Sequence, residues 1–306
     1  MKKILSLTLV LVLAISLLAG CKQESPNVEN NTDTTNTTKI EKIKIGVSPE
    51  PHAKLVELVV DDLKKEGVDV EVIVFTDYIT PNLALDSGEL DANFFQHEPY
   101  LLNHVAEEGL DLVSLGKVHV EPMALYSNKY DSVDEIPDGA TISIPNDTVN
   151  GGRALLLLEA NGLIKLKEGV GVNATEVDIV ENPKNLKFQA LEAAVLPITL
   201  DDVDGAVING NYAIEAGLNP VKDGLLVEGG ESPYANLVAV KAGQENQEKF
   251  KKLLKALQSE EVRKYLSNLI KTDNYAPVGK PDETLINNNF KSYKVEISND
   301  ILFFKK

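Results

Sequence analysis

The stretch Leu90–Tyr100, LDANFFQHEPY, runs from an apolar segment into a cluster of aromatic and polar residues just ahead of a proline. Pro99 suits the first turn of a helix, where its missing N–H costs no hydrogen bond. The chain therefore reads as a strand over Leu90–Phe95 and a helix over Pro99–Glu108. Phe95, Gln96 and His97 then fall on the connecting loop at the carboxyl end of a strand, where open α/β sheets carry their ligands. A second reading stays open at this point, in which Phe94 and Phe95 are core and His97 only caps the helix that follows.

Outward from this stretch the same order of strand and helix recurs. Upstream, Lys42–Val47 alternates as a strand, and Leu55, Val56, Leu58, Val59 and Leu63 form one helical face. Val68–Phe75 is again a strand, and strand, helix, strand at this spacing calls for a parallel pair with a crossover helix. A further helix opens at Pro81 and stops at Gly88. Downstream, Leu112–Val120 and Met123–Ser127 read as extended and Ser132–Ile136 as a short helix. Thr141–Ile144 opens a second α/β unit, whose helix is predicted over Ala154–Ala160 behind the loop Pro145–Arg153, PNDTVNGGR. Short strands are predicted over Val177–Val180, Phe188–Leu191, Val203–Ile208 and Leu237–Val240, then helices over Gln247–Leu257 and Glu260–Ile270. The chain beyond Lys280 shows no regular pattern.

With 306 residues and 43% hydrophobic content, the chain can bury a substantial core and has room for two lobes. Its first 20 residues read as a leader: Lys2 and Lys3, an apolar run from Ile4 to Leu18, then Leu18-Ala19-Gly20-Cys21, which matches the bacterial lipobox. Processing would leave Cys21 as an acylated N-terminus outside the cytoplasm, anchored to the cell membrane by lipid. Cys21 is the single cysteine of the chain, so no disulfide or thiolate metal site is expected. Residues 22–40, rich in Asn and Thr, read as a flexible tether, because so polar a segment cannot offset the entropy of ordering it. Without the leader, 28 basic residues face 47 acidic ones, which argues against nucleic acid as a partner. Arginine occurs only at Arg153 and Arg263, so a planar fork of donors was kept at just two places.

Several predicted strand ends carry polar or aromatic groups: Tyr78, Phe95 with His97, Asn146–Arg153, Asn209 and Asn236. Two α/β lobes facing each other would gather them in one cleft. The Gly151-Gly152 pair either lets backbone N–H groups approach an anion or makes a plain turn, and the spacing is not that of a P-loop. His97, His104 and His119 are the candidate ligands of a metal site. They lack the i, i+4 spacing of a helical clamp, and His104 lies mid-helix where a solvated side chain is expected, so neither a metal nor a cofactor is predicted. Nor is an enzyme: there is no GxSxG elbow and no cysteine nucleophile in the folded part, and Asp61-Asp62 and Asp201-Asp202 read as solvated surface.

Taken in order, LAGC, FTDYITPN (Phe75–Asn82), LDANFFQHEPYL, IPNDTVNGGRALLLLEANGLIKLK, VENPKNLKF, AVINGNYA and ESPYANL resemble the methionine-binding lipoproteins, the solute-binding subunits of methionine ABC importers. The resemblance spans roughly Lys42 to Ile270. It implies a two-lobed, periplasmic-binding-protein-like (type II) α/β fold, with residues 41–127 plus 237–306 in one lobe, 128–236 in the other, and a ligand cleft between them. It further implies that Tyr78, Phe95 and His97 surround a thioether side chain, that Arg153 binds the ligand carboxylate, and that Asn150, Asn209 and Asn236 hold the amino acid's backbone groups. Expected partners are methionine, the permease and ATPase of an importer, and the membrane through the lipid. The same fold would also serve another amino acid, a methionine-containing dipeptide or a metal ion. The tail Lys280–Lys306 has no counterpart in the family, and Val149-Asn150-Gly151 varies in detail around the shared Asn and Arg.

Overall fold

A computed structural model describes residues 40–229, 233–269, 294–298 and 301–305. The leader, Cys21, residues 22–39 of the tether and residues 270–293 lie outside the described residues.

The alternating stretch after Lys42 forms β1 (Glu41–Val47), with Ile43, Ile45 and Val47 fully buried. α1 (Lys54–Lys65) returns across the sheet with Leu55, Val56, Val59 and Leu63 inward, and β2 (Val68–Val74) pairs parallel to β1, from Glu41 opposite Val68 to Val47 opposite Val74. Full burial of such a side chain is worth about 1.5 to 3 kcal/mol, so this face anchors the unit. α2 (Thr80–Ser87) stops at Gly88, whose φ of 83° closes the helix in the left-handed conformation. β3 (Ala92–His97), α3 (Glu98–Glu108) and β4 (Leu112–Val120) follow.

The chain then enters a second sheet through β5 (Ala124–Tyr126), β6 (Thr141–Pro145), α4 (Thr148–Ala160), a small antiparallel pair of β7 (Lys165–Leu166) and β8 (Ile179–Glu181), β9 (Lys187–Leu191), β10 (Gly205–Ile208), α5 (Gly210–Glu215) and β11 (Gly224–Val227). β12 (Ala235–Lys241) returns to the first sheet, and α6 (Glu248–Leu257) packs Phe250, Leu253 and Leu257 against its core. α7 (Glu260–Leu269) and an antiparallel pair of β13 (Lys294–Ser298) and β14 (Ile301–Lys305) complete the described chain.

The two five-stranded sheets have the orders β2-β1-β3-β12-β4 and β11-β5-β10-β6-β9. Each is mixed: β12 runs antiparallel to both neighbours in the first, and β5 antiparallel to β10 and β11 in the second. This is the two-sheet α/β architecture expected. Strand pairing puts the crossings between Val120 and Ala124 and between Val227 and Ala235. Residues 124–126 thus belong to the second sheet, although the sequence assigned them with the first; their pairings to β10 and β11 are remote in sequence and leave no local pattern.

Two boundaries also differ from the sequence expectation. β3 continues through Phe95, Gln96 and His97, because β12 pairs with it as far as Asn236 opposite His97 and so supplies ladder partners for a segment expected to be loop. α4 starts at Thr148 rather than Ala154. Asp147 caps it by accepting the N–H of Asn150 at 2.8 Å, and apolar periodicity marked only its inner part. The glycine pair lies inside this helix. A Cβ on Gly151 would stand 2.8 Å from the carbonyl oxygen of Pro145, and one on Gly152 2.2 Å from that of Val172. Gly151 N–H already donates to Asp147 O at 2.8 Å, so the pair serves close packing and not anion binding.

Candidate ligand-binding cleft

The carboxyl ends of β3 and β10, the segment ahead of α2, and the first turns of α4 and α5 converge on a cleft with about 320 Å³ of empty space including its mouth. Tyr78, Phe95, His97, Asn150, Arg153, Asn209 and Asn236, the residues singled out in the sequence, all line it. Gln96, Tyr100, Glu121, Gly210 and Asn211 line it as well and were not singled out. Tyr100 and Gln96 belong to the opening stretch and Asn211 to the same NGN turn as Asn209; Glu121 carried no sequence signal.

One wall is aromatic. The Tyr78 ring lies 4.9 Å from Tyr212, 5.8 Å from Tyr100 and 5.9 Å from Phe95, centroid to centroid. Tyr78 donates its hydroxyl to Asn211 Oδ1, Tyr100 to Tyr78 O at 2.9 Å, and Tyr212 to Thr76 O at 3.1 Å. Burial pushes all three phenols above their ordinary pKa, so they stay neutral donors. The bonds from Tyr78 to Asn211 and from Tyr212 to Thr76 also tie the segment before α2 to α5 across the cleft.

His97 does both things the sequence left open. Its Nδ1 accepts the N–H of Tyr100 at 3.2 Å as the cap of α3, and its Nε2 lies 3.2 Å from Asn150 Oδ1. A ring nitrogen that accepts has no proton, so Nε2–H is the donor to Asn150 and the ring is neutral. Asp147 grips the Asn150 amide NH2 at 3.1 and 3.0 Å, which aims Oδ1 at His97 and at Asn209 Nδ2, 2.9 Å away. Burial first, then the Arg153 charge, lowers the pKa of His97 to about 3.

Arg153, only 4% exposed, is not free. Its Nε donates to Glu228 Oε1 at 2.8 Å, and its Nη2 to Glu228 Oε2 and, at 2.9 Å, to the backbone carbonyl of Glu121. The guanidinium also lies 4.2 Å over the Tyr234 ring. Burial alone would lower its pKa, but the Glu228 carboxylate outweighs burial and raises it. These bonds engage Nε and Nη2, and Nη1 carries two further N–H donors.

The histidines weighed as a metal site do not assemble. His97 is bonded as described, and His104 is buried, not solvated: its Nδ1 lies 3.0 Å from Asn82 Nδ2, inside a network in which Asn82 exchanges bonds of 2.9 and 2.6 Å with Gln96 and fixes that cleft residue. His119 instead meets His52 and Glu121. Among the described residues this is the group whose donor atoms could hold a metal ion, all lying within 4.8 Å of one another. A 2.7 Å bond from His119 Nε2 to Glu121 Oε1 already satisfies the closest pair. His52, wholly buried, carried no signal in the sequence. Two buried cleft atoms, Asn209 Oδ1 and Asn211 Nδ2, lack a hydrogen-bond partner among the described residues.

Residues 43–278 match the family model described as NlpA lipoprotein. The chain is 48% identical over 250 residues to the D-methionine-binding lipoprotein MetQ of Escherichia coli K12, covering 80% of this chain and 87% of that protein. A nutrient binding protein from Burkholderia cenocepacia, solved bound to methionine, is 49% identical with a TM-score of 0.72, covering 75% of this chain and 97% of that one. An ABC transporter periplasmic substrate-binding protein from Coxiella burnetii is 45% identical with a TM-score of 0.73, covering 77% of this chain and 100% of that one. With a family model matched over most of its length, the chain belongs to the NlpA lipoprotein family.

Proposed function

We propose that this protein is an extracytoplasmic solute-binding lipoprotein that captures methionine, in the L and also the D form, and delivers it to the permease and ATPase of an ABC importer. It is a binding protein and not an enzyme. The observation that carries this reading is the pairing, in one cleft, of an aromatic wall with a buried arginine and carboxamides, in a chain 49% identical to a protein solved with methionine bound. A thioether is soft and weakly hydrogen bonding, and favours aromatic contacts at about 5 Å, as Tyr78 and Phe95 offer. The zwitterionic end, taken out of water, needs charge partners and amides, which Arg153, Asn150, Asn209 and Asn236 supply. The unpartnered Asn209 Oδ1 and Asn211 Nδ2 are an acceptor and a donor that a ligand can satisfy.

The two sheets form the bodies of two lobes, and the two crossings form the hinge on which they close over the ligand. A ligand that binds the closed native state and not the unfolded chain stabilises the protein by about 2.7 kcal/mol at a hundredfold excess over Kd. Thermal unfolding with L-methionine should show that rise in Tm, and zinc, with EDTA controls, should not match it. No shift with methionine and a large one with zinc would refute the proposal.

Cys21 is the proposed lipid anchor. Among the described residues no helix is long and apolar enough to cross a membrane. Cys21→Ala should release the protein from membranes or block its processing, because stable anchoring needs two or more acyl chains and this is the one thiol available to start them. Fractionation with the variant still fully membrane-bound through salt washing would refute the anchor.

A further inference from the structure

We propose that Glu121 accepts the ligand's α-ammonium group, and that His119 and His52 hold its carboxylate in place for that purpose, so that this triad selects ligands with a free α-amino group. The inference rests on the amino-acid reading of the cleft.

Glu121 follows β4 directly, is 8% exposed, and lines the cleft beside Gly210. Its Oε1 is bonded by His119 Nε2 at 2.7 Å, and His52 Nε2 lies 3.5 Å from the same oxygen. The Ser48 hydroxyl lies 2.6 Å from His52 Nδ1; with Ser48 donating there, the ring proton sits on Nε2, the nitrogen nearer Glu121. His119 therefore bonds this carboxylate oxygen and fixes the rotamer of the side chain, and His52 flanks the same oxygen without a hydrogen bond to it. Oε2 lies on the Gly210 side, where a Cβ would come within 3.3 Å of it and 2.8 Å of Glu121 Cβ, so a glycine at that position keeps the carboxylate accessible.

The charges point the same way. Arg153, the nearby guanidinium, has Glu228 as its ion-pair partner, and Glu121 pairs among the described residues only with the two histidines. Burial holds His52 neutral, with a pKa lowered to about 4. Burial would raise the carboxyl of Glu121, but the bond from His119 and the Arg153 charge act against it and the group lies below the ordinary carboxylate range. A buried anion facing a cleft without a full cation of its own is costly unless a ligand brings one. Arg153 Nη2 bonds the backbone carbonyl of this same Glu121 at 2.9 Å. Arg153 and Glu121 line the same cleft, so one offers donors to a ligand carboxylate and the other an acceptor to a ligand ammonium.

The test is calorimetry on the full chain with L-methionine and with 4-(methylthio)butanoate, which keeps the thioether and carboxylate but has no amino group. Wild type should prefer methionine by at least about 30-fold, the loss typical when one partner of a buried charge pair is removed. Glu121→Gln should reduce that ratio to within about threefold, the range of exposed ion pairs, by weakening methionine alone. His119→Phe should reduce it in part, and His119→Gln, which keeps a donor at the Nε2 position, should restore it. Wild-type binding of both compounds with equal affinity would overturn the inference while leaving the amino-acid reading intact. Binding of neither would overturn both. Equal weakening of the two ligands by Glu121→Gln, or zinc binding that competes with methionine and is lost in His52→Ala, would show a structural or metal role and overturn the assignment.

Discussion

Arg153→Ala should weaken methionine binding by about 2 to 5 kcal/mol, roughly 30-fold to a few thousand-fold in Kd, if the proposed pairing of Arg153 with the ligand carboxylate holds. The structure adds a second consequence. Glu228, bonded to Arg153 through Nε and Nη2, loses its ion-pair partner, and breaking a buried pair from one side costs about 3 to 5 kcal/mol of folding stability. The ligand-free variant should therefore unfold at a lower temperature as well. Arg153→Lys should recover part of the stability but little of the affinity, since an ammonium cannot reach Glu228, the Glu121 carbonyl and a ligand carboxylate in fixed directions together. Arg263 pairs with Glu260 on the same helix, half in solvent, so Arg263→Ala is the control that should change neither property by more than about 1 kcal/mol. Calorimetry and thermal unfolding on the same samples separate the two effects. An Arg153→Ala affinity within about threefold of wild type would remove Arg153 from the binding machinery.

Acidification from pH 6.5 to 4.5 should destabilise the ligand-free protein by roughly 2 to 3 kcal/mol for each of two buried histidines. An unfolded histidine takes up its proton near pH 6.5, whereas folded His52 does so at about 4 and His97 at about 3, with burial the leading cause in both. Between those values the unfolded chain binds more protons, so the free energy of unfolding falls as pH falls; by about pH 8 both rings are neutral in both states and contribute no slope. The His97 Nδ1, which accepts the Tyr100 N–H, cannot be protonated without breaking the cap of α3. Denaturant unfolding across this range should show the slope in wild type and a shallower one in His97→Gln. A flat wild-type profile between pH 6.5 and 4.5 would refute the assignment of neutral, buried rings.

Much of this molecule was legible before any tertiary structure was known. Apolar residues spaced at Leu55, Val56, Val59 and Leu63 can bury one face only as a helix, and Ile43, Ile45 and Val47 only as a strand, so element types, the parallel β1–β2 pair and the α/β class followed from periodicity. The ordered motifs around Tyr78, His97, Asn150, Arg153, Asn209 and Asn236 pointed to residues that do line one cleft. What periodicity cannot carry is a contact whose partner is remote in sequence. β3 gained Gln96 and His97 because β12, far along the chain, pairs with them, and Ala124–Tyr126 joined the second sheet because β10 and β11 flank it. Arg153 found Glu228 75 residues away, and Glu121 found His52 from before α1, through approaches that only the folded chain creates. Local sequence determined which faces leave water, because the hydrophobic effect acts on each element's own pattern. The tertiary structure decided which charges meet, because the strength of an ion pair depends on separation and on exclusion of solvent, and neither exists until the sheets are assembled.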